Sequence, residues 1–136
     1  MSYLLDTNVV CETFRRRPEP RVTQWLEAVS SDELYLSVLT LGEVRKGIEH
    51  LAATPRKSKL LAWLEHELPR WFGERMLPID ANVADRWGYL MAAAGAAVPA
   101  IDGLIAATAL THNLKVVTRN VADFRLPGVE VINPWK

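Results

Sequence analysis

Hydrophobic positions along the chain fall into two kinds of run. Short continuous apolar runs favour buried strands, and they occur at residues 3–5, 34–38, 76–79, 114–118 and 129–132. Runs in which apolar residues recur every three or four positions favour amphipathic helices, and they occur at residues 22–29, 59–71, 83–94 and 101–111. The last of these is nearly all apolar, so we expect that helix to be buried.

Polar residues and prolines predict where several helices begin and end. Asp6 follows the first strand-like run and is predicted to cap a first helix, which Arg17-Pro18-Glu19-Pro20 ends. Thr40 is predicted to open a helix, with Glu43 three residues later in the spacing of a capping box. Pro69 is predicted to end or kink the helix that contains it.

Strands that alternate with helices predict an α/β fold with a parallel sheet and helices on both faces. At 136 residues the chain has the ordinary size of one domain, so residues 1–136 are predicted to form a single domain. In such folds polar ligands bind beyond the carboxyl ends of the strands. Candidate functional residues are therefore sought at that edge of the sheet.

Composition and charge exclude several classes of protein. The first residues do not resemble a secretion signal, and no apolar run approaches the about 18 residues of a membrane span, so we expect a cytoplasmic protein without membrane contact. Cys11 is the only cysteine, which excludes an internal disulfide and suggests core packing. Sixteen basic and sixteen acidic residues give a formal charge of zero, so any contact with nucleic acid must be local.

Several carboxylates follow strands or open helices. Asp6, Glu43 and Asp102 each have a simple structural explanation, as a helix cap, a capping-box partner and a first-turn acid respectively. A turn would equally explain Asn120 and Asp123. Asp6, Glu43, Asp102 and Asp123 would nevertheless meet at one edge of a parallel sheet, where their mutual repulsion favours a bound cation. Ligands that are all oxygen favour Mg²⁺ or Mn²⁺.

Four segments together resemble the PIN-domain family, and within it the VapC and FitB-like toxins of bacterial toxin–antitoxin pairs. The segments are Leu4-Leu5-Asp6-Thr7-Asn8, Glu43 in its helix, residues 102–109 (DGLIAATA) and Val117-Thr118-Arg119-Asn120, and the chain closes similarly with Asn133-Pro134-Trp135. The resemblance covers essentially the whole chain. It implies a PIN-like three-layer α/β/α fold with a mostly parallel central sheet of about five short strands.

The resemblance also implies the chemistry and the residues that perform it. It implies a Mg²⁺-dependent endoribonuclease, with Mn²⁺ possible, in which Asp6, Glu43 and Asp102 correspond to the acidic metal positions. The fourth position falls on Asn120 or Asp123, because relatives place an acid at either one. Thr7, Asn8 and Thr118 would support the site, whereas Asp80, which has the same local context as Asp6, would be only a cap.

Partners and phosphate contacts are further expectations. The toxin resemblance implies an RNA substrate, a homodimer and a small VapB-like antitoxin, with DNA bound only through that antitoxin. Arg119, Lys46 and Arg15 are candidate phosphate-binding residues. No stacked-aromatic signature in the sequence indicates a platform for bases.

Two other classes of function remain open. A phosphoacceptor receiver domain is also α/β, but it should have an acidic pair near the first strand and a lysine on the last, and Asp6 has no acidic neighbour. A catalytically idle interaction module would use exposed aromatic residues, and these are expected among Trp25, Trp63, Trp71, Trp87 and Trp135. His50, His66 and His112 lack zinc-binding spacing and are expected at the surface.

Overall fold

The fold is described from a computed structural model that covers residues 1–95 and 97–136. Within these residues one sheet contains the strands β1 (Tyr3–Leu5), β2 (Leu34–Ser37), β3 (Met76–Leu77), β4 (Lys115–Val117) and β5 (Val131–Ile132). Their order is β3-β2-β1-β4-β5, and each neighbouring pair is parallel. The predicted α/β class and parallel sheet are confirmed.

Helices connect the strands in the order expected from the hydrophobic pattern. They are α1 (Thr7–Glu12), α2 (Pro20–Ala28), α3 (Val38–Glu49), α4 (Pro55–Ala62), α5 (Leu68–Phe72), α6 (Ala81–Ala93) and α7 (Ala100–Thr111). A short 3₁₀ turn, Val121–Phe124, lies between β4 and β5. No helix in the described residues is long and apolar enough to cross a membrane.

The sheet separates two hydrophobic clusters because successive strand residues face opposite sides. On β1, Leu5 packs with residues of α1 to α5, whereas Leu4 packs with residues of α6 and α7. The same alternation places Val117 and Val116 of β4 in the first and second clusters. The expected three-layer arrangement follows, and the apolar helix α7 is buried as predicted.

The predicted capping box at Thr40 and Glu43 is wrong. Ser37 caps α3 instead, because its Oγ accepts a hydrogen bond of 3.1 Å from the backbone N–H of Leu39, and the helix begins at Val38. Strand β2 therefore passes into α3 without a connecting turn. Glu43 lies in the second turn of the helix, too far along to reach the cap residue.

Pro69 interrupts its helix less than the sequence predicts. It lies in the first turn of α5, a position at which proline is common. The irregularity comes before it, as the π-helical turn Trp63–Glu67 that joins α4 to α5. Because a π turn re-registers the backbone hydrogen bonds, the chain continues past the proline.

The structure contradicts the predicted exposure of the tryptophans and confirms that of the histidines. None of the tryptophans is exposed as expected: all five are half-buried, and Trp25, Trp63, Trp71 and Trp135 pack against the first cluster. The expectation of exposed tryptophans, which supported an interaction module, is therefore wrong. His50, His66 and His112 are exposed, which confirms their predicted surface positions.

Close packing of α6 on α7 depends on Gly103. A Cβ at this position would lie 3.0 Å from Trp87 Nε1 and from Met91 Sδ and Cε. Trp87 is rigid, and its buried Nε1 has no hydrogen-bond partner among the described residues. The two helices therefore have no room for a side chain here.

We expect Gly103→Ala to lower the free energy of unfolding by about 1 kcal/mol. Overpacking costs about 1–3 kcal/mol, and only part of this is offset by the about 1 kcal/mol that alanine gains in a helix. Gly88→Ala in α6 is the matched control, because open space surrounds that position and the variant should gain stability. Urea unfolding should show changes of opposite sign, and equal changes would contradict the packing argument.

Candidate active site

Asp6 is fixed at the carboxyl end of β1 by hydrogen bonds to both carboxylate oxygens. Its Oδ1 accepts from the backbone N–H of Thr7 at 2.8 Å, so Asp6 does cap α1 as predicted. Its Oδ2 accepts from Thr118 Oγ1 at 2.8 Å and from Asn8 Nδ2 at 3.4 Å. The carboxylate is only 5% exposed, so its position is set by the protein rather than by solvent.

Thr118 links the ends of β1 and β4, which are neighbouring strands. Its Oγ1 donates to Asp6 and accepts from Asn8 Nδ2 at 3.3 Å and from the backbone N–H of Asn120 at 3.0 Å. Asn8 Oδ1 accepts from the backbone N–H of Arg119 at 3.3 Å. The structure thus brings Asn8 and Thr118 beside Asp6, whereas Asn120 joins the network through its backbone.

Glu43 reaches the same edge of the sheet from α3. Its Oε1 accepts a hydrogen bond of 2.5 Å from Thr7 Oγ1, across 36 residues of sequence. Thr7 therefore holds Asp6 through its backbone and Glu43 through its side chain. Because the predicted capping box does not form, this hydrogen bond explains the position of Glu43.

Asp102 and Asp123 complete the acidic edge from the other side of the sheet. Asp102 lies in the first turn of α7, and Pro99, not Asp102, occupies the cap position. Asp123 is exposed in the 3₁₀ turn that follows β4. Asp123 acts electrostatically on Asp6 and on Asp102, and Asp6 and Glu43 also act on Asp102, so we define the acidic edge as Asp6, Glu43, Asp102 and Asp123.

The electrostatics show that these carboxylates share one environment. Burial raises the pKa of Asp102 to about 6, and the negative charges of Asp6, Asp123 and Glu43 contribute to the rise. Burial also raises the pKa of Asp6, with Glu43 and Asp123 adding to it, although the bonds from Thr118 and Thr7 oppose the shift. The ionised cluster is therefore unfavourable without a compensating cation.

The donor set fits a hard divalent cation by its chemistry. Among the described residues, no lysine, arginine or histidine forms an ion pair with any carboxylate of the acidic edge. In the same part of the chain, no group of three His, Cys, Asp or Glu side chains is gathered tightly enough to enclose a metal. The carboxylates share an edge without forming a closed cage, and their assignment as metal ligands remains a prediction.

Asp80 provides an internal comparison for Asp6. It caps α6, and its Oδ1 accepts from the backbone N–H of Val83 at 3.0 Å. No hydrogen bond in the described residues joins the Asp80 side chain to a residue of the acidic edge. Its predicted role as a structural cap is confirmed.

The candidate phosphate-binding residues have different surroundings. Arg15 pairs with Glu12 at 3.2 Å, so its charge is already engaged within the protein. Lys46 and Arg119 are exposed and have no ion-pair partner within the described ranges. Of the three, Arg119 retains a free positive charge near the acidic edge, and Lys46 retains one on α3, the helix that carries Glu43.

The sequence reasoning missed Glu12. It is 3% exposed, and while its Oε1 pairs with Arg15, its Oε2 accepts from the backbone N–H of Glu19 at 2.8 Å. An acid that directly follows the apolar run Val9-Val10-Cys11 was a usable signal, because charged residues are seldom buried without a partner. Glu12 fixes the loop between α1 and α2 and is not part of the acidic edge.

Cys11 behaves as a packing residue. It contacts the first hydrophobic cluster, and burial raises the pKa of its thiol to about 11, with Glu43, Asp6 and Glu12 adding to the effect. The thiolate that nucleophilic chemistry needs is therefore not formed at neutral pH. This confirms the expectation that Cys11 fills the core.

Comparison with known proteins agrees with this geometry. The family model of the PIN domain matches residues 3–126. The toxin FitB of Neisseria gonorrhoeae is 39% identical over 135 residues, covering 97% of this chain and 97% of the relative. The VapC ribonuclease Y4jK of Sinorhizobium fredii is 36% identical over 136 residues, covering 98% of this chain and 97% of the relative.

A solved structure shows the same fold over the same length. The crystal structure of FitAcB from Neisseria gonorrhoeae superposes with a TM-score of 0.90 and 38% sequence identity. The superposition covers 98% of this chain and 98% of that one. The similarity therefore includes every element that contributes to the acidic edge.

Proposed function

This chain belongs to the PIN-domain family, and from that premise we propose that it is a divalent-metal-dependent endoribonuclease, the toxin of a toxin–antitoxin pair. One observation supports the chemistry most directly. Four carboxylates from different elements share one edge of the sheet, where their mutual repulsion contributes to the raised pKa of Asp6 and of Asp102, and none of the four has a protein cation within ion-pair distance in the described residues. Such a cluster is suited to holding Mg²⁺ or Mn²⁺.

Each residue of the acidic edge has a distinct role in the proposed reaction. Asp6 and Asp102 are the candidate direct ligands of the metal. Glu43, oriented by Thr7, and Asp123, on its exposed turn, would bind through water or accept a proton from the attacking water. When bound, the metal supplies stabilisation of charge on the phosphate and lowers the pKa of coordinated water.

Preorganisation of the carboxylates is the contribution that the fold makes. Asp6 has both oxygens hydrogen-bonded to groups of α1 and β4, so its orientation is fixed before any substrate arrives. Thr118 donates a hydrogen bond to Asp6 and accepts one from the backbone N–H of Asn120. Partners of this kind tune ligand basicity, and removing one typically costs about 10–100-fold in metal affinity or activity.

Asp123 is favoured over Asn120 for the fourth acidic position. Asp123 adds to the raised pKa of both Asp6 and Asp102, which places its charge within range of each. Asn120 contributes its backbone N–H to Thr118 and is a neutral residue. We therefore assign the fourth acidic position to Asp123.

The alternative functions have less support. A receiver domain would need a lysine at the last strand, and β5 consists of Val131 and Ile132. An interaction module was motivated by exposed tryptophans, which the structure does not contain in the described residues. The endoribonuclease also agrees with the VapC ribonuclease and FitB toxin found among the relatives.

Partners are proposed by the same family relationship. We assign to this chain a small VapB-like antitoxin as inhibitor, an RNA substrate and a homodimeric assembly. A solved toxin–antitoxin complex from Klebsiella pneumoniae, 27% identical to this chain with a TM-score of 0.69, supports the antitoxin partner. Contact with DNA would be made by the antitoxin, as the family relationship implies.

The direct test is RNA cleavage by the purified chain, free of any inhibitor. We expect single-stranded RNA to be cleaved in Mg²⁺ or Mn²⁺ and to remain intact in excess EDTA, with activity restored when metal is added back. Gel analysis of end-labelled RNA would show internal cuts. RNA that stays intact under every metal condition, with calorimetry showing no metal binding, would contradict the proposal.

A further inference from the structure

A groove lies beside the acidic edge, on the side of β4 and the end of the chain. It is lined by two cations, one carboxylate and five uncharged residues, and we call it the Trp135 groove; the lining residues are Arg119, Lys136, Glu19, Asn120, Val121, Ala122, Asn133 and Trp135. Its volume is about 530 Å³, within the range of clefts that hold small ligands. None of the residues so far assigned to the acidic edge lines it, so its function needs a separate explanation.

The aromatic ring in the groove is held in place by its backbone. The N–H of Trp135 donates to Asn133 Oδ1 at 2.9 Å, and its carbonyl accepts from Arg21 at 3.1 Å. The ring is half-buried, with part of it packed against the first hydrophobic cluster. A ligand that binds this ring therefore meets a surface that is already ordered, which lowers the entropic cost of binding.

Arg119 places a planar cation over the Trp135 ring, so that a base on that side of the ring would meet the guanidinium. Its guanidinium carbon lies 5.5 Å from the centroid of the Trp135 ring. The side chain is exposed and has no ion-pair partner in the described part of the chain. Tryptophan rings and arginine planes are the two kinds of surface on which unpaired RNA bases stack.

The groove is tied directly to the acidic edge. The backbone N–H of Arg119 donates to Asn8, and that of Asn120 donates to Thr118. Asn8 and Thr118 in turn hold the Oδ2 of Asp6. Because consecutive residues span at most about 3.6 Å, the start of the groove lies close to the site of phosphodiester cleavage.

We propose that Trp135 and Arg119 form a stacking platform for one unpaired base of the RNA, adjacent to the phosphodiester bond that is cleaved. The inference rests on the proposed ribonuclease function and adds a base-binding subsite to it. Lys136 and the guanidinium of Arg119 place positive charge where the neighbouring phosphate would lie. The sequence alone gave no sign of this platform, because Trp135 and Arg119 are 16 positions apart.

A thermodynamic cycle between protein and RNA tests the platform. The probe is a short single-stranded RNA with a mapped cleavage site, bound to the cleavage-deficient Asp102→Asn protein in Mg²⁺ and followed by fluorescence anisotropy. Each base in turn is replaced by an abasic nucleotide. One position next to the cleavage site should lose about tenfold in affinity, the size expected for one stacked base.

The same RNAs are then measured with Trp135→Ala in the same background. This variant should bind the intact RNA about tenfold more weakly, and the critical abasic nucleotide should cause no further loss. Trp135→Phe, which keeps an aromatic ring, should restore most of the affinity. Tyr89→Ala is the matched control, because Tyr89 is 79% exposed on α6 and does not line the groove.

A general structural role for Trp135 would give a different result. Abasic substitutions would then cost the same in both proteins at every position, and this outcome overturns the platform even if the wild-type protein cleaves RNA. If Trp135→Ala lowers the unfolding midpoint, Arg119→Gln provides the test instead, because Arg119 is exposed. The platform predicts that the losses of affinity caused by Arg119→Gln and by the abasic substitution at the same nucleotide are also non-additive. A wild-type protein that cleaves no RNA overturns the platform and the proposed function together.

Discussion

Asp6→Asn is expected to reduce RNA cleavage by about three orders of magnitude while the protein stays folded. A metal held at the acidic edge would contribute several kcal/mol of stabilisation to the transition state, and each 1.36 kcal/mol corresponds to about tenfold in rate. Asparagine keeps the acceptor for the Thr7 N–H and is as good a helix cap as aspartate. The substitution also removes a buried carboxyl group, whose pKa the fold raises.

Asp80→Asn is the matched control for this variant. Asp80 also follows a strand and caps a helix, so the chemical change is the same and a capping carboxylate is altered in both variants, although Asp80 is exposed and Asp6 is buried. Initial rates of RNA cleavage, with circular dichroism as the check on folding, should be unchanged for Asp80→Asn. Equal losses of activity in the two variants would mean that capping, and not ligation, explains the effect of Asp6.

Asp102→Asn is expected to stabilise the metal-free protein at pH 7 to 8 and to abolish its stabilisation by Mg²⁺. In the folded protein the pKa of Asp102 is about 6, above its ordinary value of 3.8. The folded state therefore binds more protons than the unfolded state between these values. Stability from this group is present below about pH 4 and is lost as the pH rises through about 6.

The expected gain at neutral pH is about 1 kcal/mol, or roughly 3 °C in the unfolding midpoint. A shift of this size in a fully buried group would be worth more, but Asp102 is partly exposed and water screens its charge. The favourable position of the carboxylate in the first turn of α7 offsets some of the gain. Thermal unfolding at pH 4, 6 and 8 should show the difference from wild type disappear in acid.

Mg²⁺ provides the second half of the Asp102 measurement. Addition of Mg²⁺ should raise the unfolding midpoint of the wild-type protein, because a cation relieves the repulsion among the carboxylates. The same addition should leave Asp102→Asn nearly unchanged. A Mg²⁺ response of equal size in both proteins would exclude Asp102 from the metal site.

Most of the fold could be predicted because its elements have strong local signals. The strands are short apolar runs followed by polar caps, and α7 is too apolar to lie at the surface. The start of α3 was misplaced because Ser37 and Thr40 are both good caps, and only tertiary structure selects between them. The π-helical turn before Pro69 has no sequence signal of its own, since it depends on how α4 and α5 pack.

The candidate site was predictable only in part. Local sequence makes Asp6 and Asp80 equivalent caps, and what distinguishes them is the Oδ2 contact with Thr118, 112 residues away from Asp6. The bond between Thr7 and Glu43 is likewise a tertiary contact between two helices. The resemblance to a known family indicated the candidate acidic positions, whereas the electrostatics of the folded chain were needed to favour Asp123 over Asn120, and its geometry to reveal the Trp135 groove.

The pairing of β1 with β4 also determines when the acidic edge can exist during translation. β1 is made before β4 and Thr118, which follow more than a hundred residues later. At synthesis rates of about 5–20 residues per second, the nascent Asp6 waits on the order of ten seconds for its Thr118 donor. A chain that stops before β4 leaves β1 paired with β2 alone and lacks both Thr118 and Asp123, so it cannot assemble the acidic edge.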